Sequence, residues 1–195
     1  MPLTKTKFRQ ECLKKMKNSH QHNKIYRDSL INKKLMQILS KKKTENILFY
    51  YPLQNEADIR KTLQKIRRKH NVFIPFMEGK SFKMVPFRLP LKKKKFGIFE
   101  AGNTLRDIKK IDIAVVPIVG VDSNLQRVGF GKGMYDRFFE KLKKRPYTIF
   151  IQTKLCYTSK KICDEYDVTG DIVITERKNI SKRKIYIKEE IQDVK

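Results

Sequence analysis

The chain has 195 residues and a formal net charge of +26, from 46 basic and 20 acidic residues. This length predicts one domain with a sizeable core, and 39% hydrophobic residues argue against wholesale disorder. The longest uncharged apolar run, residues 113–121, is shorter than the roughly 20 residues of a membrane-spanning helix, and no apolar signal core follows the N-terminus. We therefore expect a cytoplasmic protein without a membrane segment.

Helices and strands are predicted to alternate along the chain. Apolar residues at helical spacing predict helices over residues 5–17, 24–39, 56–69 and 133–143. Apolar runs predict strands over residues 46–51, 71–76, 81–87, 111–116, 147–151 and 171–175. Strands that are apolar on both faces indicate an α/β fold, a three-layer sandwich with a largely parallel central sheet flanked by helices.

We expect residues 1–195 to form a single α/β domain. The charged tail, residues 177–195, is predicted either to add an edge strand around residues 184–188 or to be partly disordered. The cysteines, Cys12, Cys156 and Cys163, include no CxxC pair. Their odd number and spacing argue against a disulfide framework or a zinc site and favour buried or idle thiols.

The large positive charge suggests a nucleic-acid binder, but its distribution argues against one. Residues 1–70 carry 19 basic and 5 acidic residues, whereas residues 151–195 carry 10 and 8. The lysines are spread along predicted helices and loops, and no segment interleaves arginine with aromatic residues as a stacking platform does. We interpret most of this charge as solvated surface.

Three glycines (Gly129, Gly131 and Gly133) lie between a buried strand and a predicted helix. Glycine lets backbone N–H groups approach an anion, and a helix N-terminus adds unpaired N–H groups. The spacing fits neither the Walker A loop nor the Rossmann fingerprint. A tight turn with incidental basic residues is therefore an alternative to phosphate binding. Asp136, in the first helical turn, is either a surface acid or a ligand to a phosphate-bound Mg²⁺.

The same region resembles the signature of the 5-formyltetrahydrofolate cyclo-ligase family, which reads roughly D-x-x-G-x-R-L-G-x-G-x-G-Y-Y-D-R. Val128 and Met134 stand where the family has Leu and Tyr. The matching residues are Asp122, Arg127, Gly129, Gly131, Gly133, Tyr135, Asp136 and Arg137.

Three further blocks extend the resemblance over about residues 5–176. Lys5 and Arg9 match the family's Lys-x-x-x-Arg, which implies contact with ATP phosphates. Tyr51 and Glu56 match a block that lines the folate pocket in the family. The third block begins at Asp167 and is similar to the family's ending, HD-x-x-x-D-x-V-x-T-E.

The chain also departs from the family pattern. Tyr166 replaces a histidine, Ile162 and Ala101 replace prolines, and Ile59 replaces a threonine. Each matched residue has a purely structural alternative as well. Lys5 and Arg9 would then be solvated charges, Glu56 an acid favouring its helix N-terminus, and Tyr51 a core residue. The joint presence of these residues in the family's order favours the functional interpretation.

The resemblance implies an ATP-dependent ligase that converts 5-formyltetrahydrofolate to 5,10-methenyltetrahydrofolate through a phosphorylated formyl group. It implies ATP as co-substrate, Mg²⁺ as cofactor, and a protein that we expect to be a monomer. A basic RNA-binding module on a retained ligase fold is the alternative.

Roles follow from the same resemblance. Lys132, Arg127 and Tyr135 are implied as catalytic, Tyr51 and Glu56 as folate-binding, and Phe130 and Tyr135 as residues that shape the pterin or the adenine environment. The metal would be held by Asp136 and Asp167. The implied ATP site comprises Lys5, Arg9, Arg127, Gly129, Phe130, Gly131, Lys132, Gly133, Met134 and Tyr135.

Overall fold

The protein is described by a computed structural model that covers residues 2–19, 23–94, 97–105, 108 and 110–181. The helices in these residues are α1 (Lys5–Ser19), α2 (Lys24–Leu39), α3 (Arg60–Ile66) and α4 (Met134–Glu140). The strands are β1 (Asn46–Leu48), β2 (Asn71–Glu78), β3 (Ser81–Pro86), β4 (Lys92–Lys93), β5 (Phe99–Glu100), β6 (Ile113–Pro117), β7 (Gly120–Val121), β8 (Arg127–Val128), β9 (Tyr147–Ile151), β10 (Ile172–Ile174) and β11 (Asn179–Ser181).

Seven strands form the central sheet in the order β11-β10-β9-β6-β1-β2-β3. The five inner strands are parallel, whereas β3 and β11 pair antiparallel at the two edges. The pairs β4–β5 and β7–β8 form two separate antiparallel ribbons. The predicted α/β architecture with a largely parallel sheet is confirmed.

Both faces of the sheet are apolar, as the strand sequences require. One face packs against α2 and α3, whose buried residues include Leu35 and Leu63. The other face packs against α4 through Phe138. The alternating side chains of the inner strands therefore enter two cores, and the helices complete the three layers.

Helix α1 lies apart from these two cores, over the β7–β8 ribbon. Its buried residues Phe8, Cys12 and Met16 pack with Val119 and Val128. Cys12 also forms a disulfide with Cys156, which follows β9. The expectation of idle thiols is wrong for this pair, because the fold brings together two cysteines that are 144 residues apart. Cys163 is a free, buried thiol, as predicted.

The predicted elements are present, with shifted ends. The helix expected over residues 56–69 is limited to Arg60–Ile66, and that over residues 133–143 to Met134–Glu140. Residues 184–188 lie outside the described residues, and the observed edge strand is β11. Within the described residues, no helix combines the length and apolarity needed to cross a membrane.

Candidate active site

Three chain segments leave the sheet at the carboxyl ends of neighbouring parallel strands. Residues 49–56 follow β1. Residues 129–133, which we call the glycine loop, follow β6 through the β7–β8 ribbon, and residues 152–168 follow β9. Since β9, β6 and β1 are adjacent and parallel, these segments meet at one edge of the sheet. This is where ligands bind in open α/β sheets.

A cleft of about 540 Å³ opens at this edge, within the range of small-ligand sites. We call it the glycine-loop cleft. Its lining residues are Lys5, Arg9, Gly129, Gly131, Gly133, Asp136, Arg137, Glu140, Tyr166 and Asp167.

Helix α1 brings two of the predicted cations to this cleft. Lys5 pairs with Asp167 and with Asp164, the second pair at 3.2 Å. Burial lowers the pKa of Lys5, but the hydrogen bonds to Asp167 and Asp164 outweigh it and hold the pKa above the usual lysine value. Arg9 donates from Nε to the carbonyl oxygen of Gly129 at 2.8 Å. The spacing of four therefore places both cations on the face that meets the glycine loop.

The glycine loop depends on two of its glycines in different ways. Gly133 caps α4 at a φ of 59°, in the left-handed region that glycine adopts without strain. At Gly129 a Cβ would lie 2.2 Å from Nη2 of Arg127, so the guanidinium occupies the space beside it. Helix α4 has seven residues and is shorter than the helix that the sequence predicted over residues 133–143. The side chains of Phe130 and Lys132 are exposed, and that of Met134 packs into the core beside α4.

Arg127 is only 5% exposed and does not itself line the cleft, but it contacts Asp136, which does. Its Nη1 donates to both carboxylate oxygens of Asp136, at 3.1 and 3.2 Å. Its guanidinium carbon lies 5.0 Å from the ring centroid of Tyr135. The Nε atom is buried and has no hydrogen-bond partner among the described residues. Arg127 therefore contacts both Asp136 and Tyr135, which lie in the first turn of α4.

Glu56 is buried and lies in a turn before α3, not at the N-terminus of that helix as one alternative had it. Its Oε2 accepts a hydrogen bond from the backbone N–H of Leu53 at 2.9 Å. Burial raises the pKa of Glu56 to about 7, although the Leu53 bond and the charge of Arg127 act in the opposite direction. Burial, and then the charge of Glu56, raise the pKa of Tyr135. Arg127, Tyr135 and Glu56 thus interact electrostatically.

Tyr51 contributes to an aromatic group rather than to the core interior. Its ring lies 6.3 Å from that of Phe87 and 5.4 Å from that of Phe99, measured between centroids. We call residues 51–56 the Tyr51–Glu56 segment. It provides an aromatic surface and a buried carboxyl group on the β1 side of Arg127.

Asp136 and Asp167, the predicted metal ligands, line the same cleft. Asp136 also accepts from the backbone N–H of Val168 at 3.3 Å, which ties the two segments together. No group of three His, Cys, Asp or Glu side chains that could hold a metal occurs in the described part of the chain. Two carboxylates still fit Mg²⁺, which commonly takes one or two from the protein and completes its shell with phosphate and water oxygens.

Arg137 and Asp122 match the family signature, but the sequence did not indicate a role for either residue. Arg137 donates from Nε to the carbonyl oxygen of Lys80 at 2.8 Å and thereby joins the glycine loop to the β2–β3 hairpin. Tyr166, the replacement for a histidine, is 73% exposed and donates to Asp164 at 2.9 Å. The sequence signal for Arg137 and Asp122 was their match to the family signature, because both lie within it.

Comparison with known proteins shows the family and a similar fold. The model of the 5-formyltetrahydrofolate cyclo-ligase family matches residues 3–176. The chain is 26% identical to the 5-formyltetrahydrofolate cyclo-ligase of Mycoplasma pneumoniae over 178 residues, which cover 89% of this chain and 99% of that protein. It is 26% identical to the protein of the same name from Mycoplasma genitalium, over 87% of this chain and 96% of that one. The fold is similar to that of Aquifex aeolicus 5,10-methenyltetrahydrofolate synthetase, with a TM-score of 0.76, 24% identity and coverage of 93% and 94% of the two chains.

Proposed function

Because the chain belongs to the 5-formyltetrahydrofolate cyclo-ligase family, we propose that it converts 5-formyltetrahydrofolate to 5,10-methenyltetrahydrofolate with release of ADP and phosphate. The observation that carries the proposal is the position of Arg127. Its guanidinium lies against Gly129 and Asp136, and its positive charge opposes the burial that raises the pKa of Glu56. One buried cation therefore lies against the proposed phosphate-binding loop and acts electrostatically on the proposed folate-binding carboxyl group.

We propose that the glycine-loop cleft takes the triphosphate of ATP. Lys5, Arg9 and Lys132 supply positive charge around the loop, and Gly129, Gly131 and Gly133 line the cleft, where glycine lets backbone N–H groups approach a phosphate. Phosphoryl transfer depends mainly on positioning and on charge neutralisation. Asp136 and Asp167 would hold Mg²⁺, which neutralises phosphate oxygens when it is bound.

We propose that the Tyr51–Glu56 segment takes the folate. The carboxylate of Glu56 is an acceptor for paired N–H donors such as those on the amino edge of a pterin. The rings of Tyr51, Phe87 and Phe99 offer an apolar surface for the flat ring system. This arrangement leaves the formyl group to face the buried Arg127.

The reaction then needs no covalent intermediate with the protein. The formyl oxygen attacks the γ-phosphorus of ATP, and the bond to ADP breaks. The resulting iminium phosphate has a good leaving group, so the second folate nitrogen attacks the formyl carbon and loses its proton while phosphate departs. Arg127 and Lys132 stabilise the charge on the transferred group. The free thiol of Cys163, buried beside α1, has no part in these steps.

We expect the pure protein, mixed with Mg-ATP and 5-formyltetrahydrofolate, to produce the absorbance of the methenyl product together with one ADP per turnover. Folded protein without product formation would contradict the proposal. Lys132→Ala tests the phosphate assignment, because Lys132 is an exposed side chain of the loop. Its ATP KM should rise about tenfold, whereas Lys141→Ala, an exposed lysine after α4, should behave as wild type.

The RNA-binding alternative receives no support from the comparisons. We propose a monomer that works in the cytoplasm on these two small anions. The diffuse positive charge would raise the encounter rate with both.

A further inference from the structure

The carboxylate of Asp122 is fully buried and lies directly after β7. No ion pair of Asp122 occurs among the described residues. A buried carboxylate without a cation is costly unless its oxygens accept hydrogen bonds. Something else in the structure must therefore satisfy it.

Four backbone N–H groups do so, two on each oxygen. Oδ1 accepts from Asn124 and Gln126, both at 3.0 Å. Oδ2 accepts from Ile162 at 3.3 Å and from Cys163 at 3.1 Å. A carboxylate has about four acceptor positions, so these four backbone donors satisfy both of its oxygens.

The two oxygens hold different segments of the site. The Oδ1 side is the turn that leads into Arg127 and the glycine loop. The Oδ2 side begins the segment that carries Asp164 and Asp167, the partners of Lys5. Gln126 reinforces the junction by donating from Nε2 to the carbonyl oxygen of Asp164 at 2.7 Å.

We propose that Asp122 is a positioning residue for the reaction, which fixes the glycine loop and Arg127 relative to Asp167. Since it is fully buried and does not line the cleft, it acts through the two segments and touches neither substrate. An amide cannot replace it, because either orientation of an asparagine side chain at this position would turn its N–H donors toward two backbone donors. This inference rests on the proposed function for its kinetic readout only.

The Asp122→Asn variant tests the proposal with two readouts. The kcat should fall about 10- to 100-fold, as for residues that orient catalytic groups. Mg-ATP affinity, measured by calorimetry, should fall about tenfold. The folate KM should change less than the Mg-ATP affinity, because Glu56 belongs to a different segment. Asn124→Ala is the matched control, since it keeps the backbone N–H and alters only an exposed side chain.

A variant that is less stable but retains wild-type kcat and Mg-ATP affinity would overturn the proposal and leave Asp122 a structural residue. If Asp122→Asn does not fold, Gln126→Ala tests the same junction, because it removes the bond to the carbonyl oxygen of Asp164 together with the packing of a buried side chain. We expect it to lower Mg-ATP affinity about threefold, and unchanged affinity would contradict the proposal. Should the wild type lack cyclisation activity, the proposed function fails, while the calorimetric comparison still tests Asp122.

Discussion

At the glycine-loop cleft, two acids are paired with cations, Asp167 with Lys5 and Asp136 with Arg127. On the β1 side of Arg127, Glu56 is buried and forms no ion pair within the described residues. In the cleft, the ion pairs can be exchanged for contacts with a triphosphate and its metal when these bind. At Glu56, burial opposes ionisation of the carboxyl group, and hydrogen-bond donors of a bound ligand would favour it.

The two regions therefore respond differently to substitution. Loss of a cation in the cleft leaves an acid unpaired, which affects both charge balance and catalysis. Removal of the charge from Glu56 relieves an unfavourable burial, and under the proposed function it weakens substrate recognition. Arg127 is the residue that links the two regions.

Substitution of Arg127 should have the largest effect, because it affects both regions at once. We expect Arg127→Ala to lower kcat/KM about a thousandfold and to raise the KM of both substrates. Steady-state kinetics with each substrate varied in turn would measure this. Arg145→Ala is the control, since Arg145 also pairs with an aspartate, Asp171, but is exposed and lies at the opposite end of β9. If only the ATP KM changed, the role of Arg127 would be limited to the cleft.

The sequence predicted the architecture because each inner strand is short, apolar on both faces and separated from the next by a helix or loop. This strand pattern is local and is therefore readable in one chain. Lys5 and Arg9 were indicated by the resemblance to the family's Lys-x-x-x-Arg, and their spacing of four puts both on one helix face.

What the sequence did not indicate depends on distant contacts. The Cys12–Cys156 disulfide joins positions 144 residues apart, and no spacing rule marks such a pair. The role proposed for Asp122 rests on backbone groups of Ile162 and Cys163, which have no side-chain signature. The raised pKa of Glu56 depends on burial, which the polar turn around it did not suggest.

The buried Glu56 should make the stability of the protein depend on pH. Its folded pKa of about 7 lies above the ordinary value of 4.5, so the folded state holds the proton more tightly. The free energy of unfolding should therefore decrease as pH rises through this window. Glu56→Gln should be no more stable than wild type at pH 4.5 and about 3 kcal/mol more stable at pH 8. Urea unfolding at both pH values measures the difference.

The exposed Glu45 provides a control for this pH effect, because Glu45→Gln should show no such divergence. Equal stability of Glu56→Gln and wild type at pH 8 would mean that Glu56 is not buried in solution as it is in this structure.

The same variant should separate the two substrates. Glu56→Gln replaces one acceptor oxygen by a donor, so the KM for 5-formyltetrahydrofolate should rise about tenfold. The ATP KM should stay within about twofold of wild type, because the cleft residues keep their partners. A larger effect on ATP than on folate would reverse the assignment of the two regions.

Reduction of the Cys12–Cys156 disulfide should have the smallest effect, and it should change the ATP KM but not the folate KM. Cys12 lies on the helix that carries Lys5 and Arg9, whereas the Tyr51–Glu56 segment has no covalent link to α1. Reduction should leave α1 in place, because Phe8 and Met16 remain buried, but should loosen it enough to raise the ATP KM about threefold. Kinetics with and without dithiothreitol measure this, and the folate KM should not move. The response should persist in Cys163→Ala and vanish when Cys12→Ala is combined with Cys156→Ala. An equal change in both KM values would show that α1 supports the whole site rather than its phosphate-binding half.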